Sequence, residues 1–340
     1  MKLNIGIGRY DRTQALIDGR IGVAGHEARF ESPPLETLFA AAFDSERYDL
    51  AEISFSNFVY LAATGRSRFL GLPIFPSRMF RHSAVFVRTD RGIRGPRDLA
   101  GRTVGVREFS MTAALVARGV LEDEYGLRAA DIDWRCGPAD DSDTRPVIRV
   151  MPRDTRVALI DEGKNLSDML MDGELDAVVA YKPPKCFLAG APHVGRLFPD
   201  PAPVEQDYFA RSGIFPIMHL VGIRRDLADD AGLCRAVCEA FQQAKNEAIE
   251  SISAYQALSV SLPWAPAHLR ETTRLMGDDF WPYGVRSNAA AIEAVCRYSH
   301  AQGLAPRRMA IEELFAAGAL DWTPQTDHAY GQQPTRGVAT

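Results

Sequence analysis

Two arginines and a histidine fall within five residues of one another in Pro76-Ser77-Arg78-Met79-Phe80-Arg81-His82-Ser83. A guanidinium presents a planar fork that matches a carboxylate, so Arg78 and Arg81 together suit a ligand carrying two such groups. An imidazole beside them can exchange protons near neutral pH. The competing reading is a solvated basic loop. The segment directly follows the apolar run 69–75, which reads as a buried strand.

The elements that must position this segment alternate. Strands are expected at 3–7, 28–30, 49–53 and 69–75, with helices between them, one opened by Pro33-Pro34 and carrying Leu35, Leu38, Phe39 and Ala42 at helical spacing. Further strands are expected at 103–106, 175–180 and 219–223, a helix at 111–125 capped by Ser110, and a long amphipathic helix through Leu233, Val237, Phe241, Ala244, Ala248 and Ile252. This order implies an α/β fold with a mixed, mainly parallel sheet in each of two lobes. One lobe is placed at 1–88 plus 220–322 and a second, inserted lobe at 89–219, with a hinge at 84–88 and 218–224. Residues 323–340 are polar and read as a disordered tail. Ligands of open α/β sheets bind beyond the carboxyl ends of the strands, which gathers the loops at 9–12, 54–57, 78–82 and 107–112 around one cleft between the lobes.

Composition narrows the function classes. With 340 residues, 46% hydrophobic and 24% charged, the chain is ordinary globular material with enough length for two cores. A net charge of −5 argues against nucleic acid as a partner, so local basic clusters serve particular small anions. No stretch reaches the roughly 18–20 apolar residues of a membrane span, and the first residues lack the apolar run of a signal peptide, so a cytoplasmic location is expected. The five cysteines are odd in number and scattered, which gives no disulfide framework. Cys234 and Cys238, four apart on a helix, are read as core in preference to a metal pair. No dinucleotide loop, phosphate loop or Gly-x-Ser-x-Gly elbow is present.

Two segments, Asp98-Leu99-Ala100-Gly101-Arg102-Thr103-Val104-Gly105-Val106 and Leu170-Met171-Asp172-Gly173-Glu174-Leu175-Asp176-Ala177, resemble signatures of the type II periplasmic-binding-protein-like fold. Tyr10-Asp11-Arg12-Thr13-Gln14-Ala15-Leu16, Phe75-Pro76-Ser77-Arg78-Met79-Phe80-Arg81-His82, Met111-Thr112-Ala113-Ala114 and Ile214-Phe215-Pro216-Ile217-Met218-His219 together resemble the 4,5-dihydroxyphthalate decarboxylase family. The chain departs from the family pattern at 136–145 and at Lys182, where relatives tend to carry arginine.

The resemblance implies loss of CO2 from a hydroxylated aromatic dicarboxylate without a cofactor. Such a site needs a base, an acid and a clamp for the carboxylate that stays. His82 is expected as the proton donor to the ring, with His219 as the second candidate. Glu52 either accepts a hydroxyl proton or neutralises an arginine, and Asp11 is the alternative base. Arg78, Arg81 and Arg12 are expected to hold carboxylates, with Lys182 reaching in from the inserted lobe. Ser54, Ser56, Ser110 and Thr112 either hydrogen-bond the substrate or cap helices, and Tyr10 either stacks on the ring or packs the lobe interface. Glu52, Asp11 and His82 meeting around a metal ion stays open, as does assembly into a homo-oligomer. The competing functions are a non-catalytic binding protein for an aromatic acid and a decarboxylase of a related hydroxybenzoate.

Overall fold

The computed structural model of the protein describes residues 1–143, 150–253 and 257–324, so nearly all of the tail expected at 323–340 lies outside the described residues. The chain opens with β1 (Lys2–Gly6), α1 (Asp11–Ile17), β2 (Glu27–Glu31), α2 (Leu35–Asp44), β3 (Leu50–Ser54), α3 (Phe55–Ala63) and β4 (Phe69–Arg78). It continues through β5 (Val85–Arg88), β6 (Thr103–Val106), α4 (Thr112–Tyr125), β7 (Asp133–Cys136), β8 (Val157–Leu159) and α5 (Leu166–Asp172). Next come β9 (Ala177–Val179), α6 (Lys185–Leu188), β10 (Val194–Arg196) and α7 (Pro201–Ser212). Then follow β11 (Ile217–Arg224), α8 (Ala231–Ser253), α9 (Ala265–Met276), α10 (Ala289–Ala301) and α11 (Ala317–Leu320).

Two sheets result, ordered β2-β1-β3-β11-β4 and β10-β5-β9-β6-β7-β8. In the first, β11 pairs antiparallel with both β3 and β4, while β1 is parallel to β2 and β3. In the second, β5 pairs antiparallel with β9 and β10, while β6, β7, β8 and β9 pair in parallel. Each sheet therefore contains a single reversed strand, and in both cases it is the first strand laid down after the chain crosses from the other lobe. The parallel remainder is what βαβ crossovers produce.

This topology moves the crossings. Residues 84–88 and 218–224, read from sequence as the hinge, lie mostly within strands. Val85–Arg88 belongs to the second sheet and Ile217–Arg224 to the first. The apolar side chains of Val85, Phe86 and Val87 are buried there, and burial of a strand on both faces outweighs a connecting role. The chain crosses instead through the turn at His82–Ala84 and, on its return, through α7.

Two contacts fix how α4 meets the first lobe. Gly119 on α4 lies against the Tyr298 ring of α10, which leaves no space for a Cβ. One residue earlier, the buried Arg118 donates to Gln302 Oε1 at 2.7 Å and to the Phe109 carbonyl at 2.6 Å, with its guanidinium over the Phe109 ring. These contacts tie the middle of α4 to α10 and to Gln302 just after it. Elsewhere, all five cysteines are buried and none forms a disulfide among the described residues, Cys234 and Cys238 lying within the face of α8 that packs on the core. Among the described residues no helix is long and apolar enough to cross a membrane.

Candidate active site

Strand register builds the centre of the site. His219 on β11 lies opposite Ser54 on β3 and Ser77 on β4, so three strands contribute one row at the carboxyl ends of β3 and β4. Direct partners share a sheet face, as do residues two apart along a strand, which puts Glu52 on the same face one step deeper.

Glu52 is fully buried and both of its oxygens are engaged. Oε2 accepts from the Gly8 N–H at 2.7 Å, and Oε1 accepts from the Tyr10 hydroxyl at 2.8 Å and from His219 Nδ1 at 2.6 Å. Gly8 must be glycine here, since a Cβ would lie 2.8 Å from Glu52 Oε2 and 2.7 Å from the Tyr10 ring. Burial and the Glu52 charge push the Tyr10 phenol well above its ordinary range, so it remains a proton-bearing donor. With a carboxylate on Nδ1, the His219 tautomer and ring orientation are set. The edge of Phe39, 4.9 Å away between centroids, holds the ring from the side. Nε2 has no hydrogen-bond partner among the described residues.

His219 lines a cavity of about 260 Å³ between the sheets. This is slightly below the roughly 300–1,000 Å³ of pockets for drug-sized ligands and suits one substituted ring. The first lobe supplies Phe39, Ser54, Asn57, Ser77 and Met218, and the second supplies Arg107, Glu108, Met111, Thr112 and Tyr181. Arg81 enters from the crossing segment. The residue is only 8% exposed, its Nε contacts Met218 Sδ at 3.1 Å, and no carboxylate lies within ion-pair distance among the described residues. Burial lowers its pKa to about 10, which keeps it charged at neutral pH. Ser54 and Thr112 share a 3.0 Å hydrogen bond across the cleft, and Thr112 Oγ1 also accepts from the Ser56 N–H at 3.0 Å. A larger hollow of about 340 Å³ at the ends of β6, β7 and β8 shares Arg107 and Glu108 but is reached by neither His219 nor Arg81.

Several expected site residues lie elsewhere, each for a physical reason. His82 turns into an aromatic pocket, with ring centroids 5.4 Å from both Phe198 and Tyr208, and neither ring nitrogen has a hydrogen-bond partner among the described residues. Burial lowers its pKa to about 4, so at neutral pH it carries no acidic imidazolium proton to donate. Arg78 donates to the Phe215 and Pro282 carbonyls at 2.9 and 2.8 Å and to Asn288 Oδ1, tying the end of β4 to later segments. Arg12 is sandwiched between the rings of Tyr10 and Trp281, at 4.3 and 4.1 Å, and donates to the Pro76 carbonyl. Asp11 pairs with Arg12 at 2.9 Å at the surface. Lys182 pairs with Asp140 at 3.0 Å and Asp143 at 3.7 Å, so its charge is spent within its own lobe. Ser110 donates to Glu108 at 2.8 Å, and α4 starts two residues later with Met111 at its N-cap. Glu52, expected either to take a hydroxyl proton or to neutralise an arginine, is buried behind His219 and hydrogen-bonded to Gly8, Tyr10 and His219. Glu52, Asp11 and His82 do not converge, and among the described residues no group of three or more His, Cys, Asp or Glu is placed to hold a metal.

The environment of His82 has a measurable consequence. Its folded pKa of about 4 lies below the ordinary 6.5, so between these values the unfolded chain binds one more proton than the folded one. The stabilisation is therefore complete above about pH 6.5 and is lost as pH falls toward 4, by about 2–3 kcal/mol. His82→Phe, which suits the same aromatic surroundings, is expected to flatten this part of the melting-temperature profile and to keep turnover within about threefold. Parallel profiles for wild type and variant would contradict the placement.

Arg107, Glu108, Asn57, Ser77, Tyr181, Phe39 and Met218 join the site without having been singled out individually. The only sequence signal for Arg107 and Glu108 was their position in a loop after a strand end. Asn57 and Ser77 lay inside segments already assigned to the cleft.

No family model matches the chain. It is 39% identical over 323 residues to the 4,5-dihydroxyphthalate decarboxylase of Comamonas testosteroni, covering 94% of this chain and 98% of that protein. It is 37% identical over 210 residues to the 4,5-dihydroxyphthalate decarboxylase of Pseudomonas putida, covering 62% of this chain and 81% of that protein. Among solved structures, the periplasmic aliphatic sulphonate binding protein of Escherichia coli aligns with a TM-score of 0.54 at 14% identity, over 94% of this chain and 98% of that one. A desulfurization enzyme aligns with a TM-score of 0.51 at 14% identity, over 93% and 97% of the two chains. At such identities the likeness is one of fold, the two-lobed type II periplasmic-binding-protein-like architecture. The likeness to the decarboxylases covers nearly the whole chain, and on it the chain belongs to the 4,5-dihydroxyphthalate decarboxylase family.

Proposed function

We propose that the protein converts 4,5-dihydroxyphthalate to 3,4-dihydroxybenzoate and CO2, with His219 protonating the ring and Arg81 clamping a carboxylate. Family membership makes it a carboxy-lyase for a hydroxylated aromatic dicarboxylate. In this substrate each hydroxyl is para to one carboxylate. Loss of the hydroxyl proton pushes electron density onto the carbon that bears that carboxylate. Protonation of this carbon by His219 Nε2–H makes it tetrahedral. The bond to the carboxylate then breaks, CO2 leaves, and the electron pair returns to the ring and restores aromaticity. One proton is consumed for each CO2 released.

The observation that carries the reading is the pairing of two unsatisfied groups on one cavity. His219 Nε2 is aimed by a buried carboxylate, and Arg81 is a buried cation with no carboxylate at ion-pair distance among the described residues. A buried charge left unpaired is costly, and a substrate carboxylate supplies its missing partner. Apolar walls from Phe39, Met111 and Met218 keep water away and strengthen both interactions.

The test is to incubate purified protein with 4,5-dihydroxyphthalate in D2O. The expected result is one CO2 per 3,4-dihydroxybenzoate, with one deuterium at the vacated carbon. Binding of the acid without CO2 release would overturn the assignment in favour of a receptor-like role.

A further inference from the structure

Protonation of the ring requires a base at the opposite edge, and Glu52 cannot be that base because it is sealed behind His219. We propose that Glu108 is a second catalytic residue, whose carboxylate takes the proton of the hydroxyl para to the departing carboxylate. This inference rests on the reaction proposed above and assigns its missing group.

Glu108 lies in the loop after β6, is 7% exposed and lines the same cavity as His219 and Arg81. One oxygen, Oε1, is fixed by Ser110 Oγ at 2.8 Å and Asn57 Nδ2 at 3.2 Å. The other, Oε2, has no hydrogen-bond partner among the described residues and is left for a ligand. Asn57 and Ser110 thus orient the carboxylate without using up its acceptor capacity.

The placement along the row matches the substrate. Asn57 follows β3, so Glu108, which it holds, stands at the β3 end. Arg81 follows β4 and stands at the other end, with His219 on β11 between them. The substrate has the same polarity, with hydroxyl donors along one edge of the ring and carboxylates along the other.

Charge supports the role. Burial raises the Glu108 pKa above the ordinary carboxyl range, against the pull of the Ser110 and Asn57 hydrogen bonds and the Arg107 charge. A stronger base suits a phenolic proton. Facing groups are Arg107 from its own loop and Glu36 from α2, which pair with each other at 3.1 Å. Asp143 also pairs with Arg107, at 3.0 Å.

The step balances. Glu108 takes the hydroxyl proton, leaving a phenolate. His219 Nε2–H delivers its proton to the para carbon, and the C–C bond to the carboxylate breaks. Its electron pair re-forms the phenolate, which recovers the proton from Glu108. His219 is recharged from solvent.

Glu108→Gln separates this role from a structural one when two ligands are compared. Phthalate has both carboxylates but no hydroxyls, and serves as an unreactive competitor. The expected result is a fall in kcat on 4,5-dihydroxyphthalate of about 100-fold or more, with the phthalate inhibition constant within about twofold of wild type. Retention of kcat within about threefold, or a matching loss of phthalate affinity, would overturn the assignment of Glu108 alone. Failure of the wild-type protein to release CO2 would overturn the underlying reaction as well.

Discussion

His219→Gln is expected to lower decarboxylation of 4,5-dihydroxyphthalate by about 10²–10⁴-fold, the usual contribution of a positioned general acid, with phthalate binding little changed. The expectation follows from how the imidazole is held. Its Nδ1 is committed to a carboxylate that itself accepts from Gly8 and Tyr10, so only Nε2 can exchange protons with a ligand. Glutamine retains bulk and a polar end in the row between Ser54 and Ser77 but cannot transfer a proton at neutral pH. The same loss without a change in inhibitor affinity separates proton delivery from binding, because an interaction made only in the transition state moves kcat and not ground-state affinity. Turnover within about threefold of wild type would remove His219 from the acid role. A sharp fall in phthalate affinity would instead make it a binding residue.

His82 and His219 show what the sequence could and could not convey. Periodicity located the strands that end at the cleft, and β6 was read to the residue at 103–106. Glu52 and Ser54 were recognisable as the end of a strand, and the loop 107–112 as part of the cleft. The pairing of those parts was not legible. His219 and Glu52 are 167 residues apart and meet only because β11 runs antiparallel beside β3. Conversely, Arg78, Arg81 and His82 are close in sequence but point to three environments. Strand β4 ends at Arg78, and the backbone then turns, so consecutive side chains diverge. Arg81 reaches the cavity, whereas His82 is taken up by Phe198 and Tyr208, which arrive from the returning crossing. Local clustering of residue types grouped two side chains that the fold separates, Arg81 lining the cavity and His82 lying away from it. The same limit applies to Lys182, whose acidic partners Asp140 and Asp143 lie in a loop whose course no periodic pattern reveals.

Arg81→Met is expected to reduce kcat/KM on the dicarboxylate by about 10²–10³-fold, from hydrogen bonds to a charged group worth about 1.5–3 kcal/mol each. Met preserves much of the side-chain volume beside Met218 and removes the fork. The decisive comparison is between phthalate and benzoate as inhibitors. Wild type should favour the dicarboxylate, and the variant should bind the two about equally. Arg81→Lys should restore charge but not the bidentate geometry, leaving most of the preference lost. A merely structural arginine would give a different pattern, because its removal weakens the fold. Arg81 has no carboxylate partner among the described residues and burial already disfavours its charge, so Arg81→Met should keep or raise the melting temperature of the ligand-free protein. What it should lose is the rise in melting temperature that phthalate induces in wild type. Destabilisation of the free protein, or an equal loss of affinity for benzoate and phthalate, would show that the guanidinium serves the fold and not the second carboxylate.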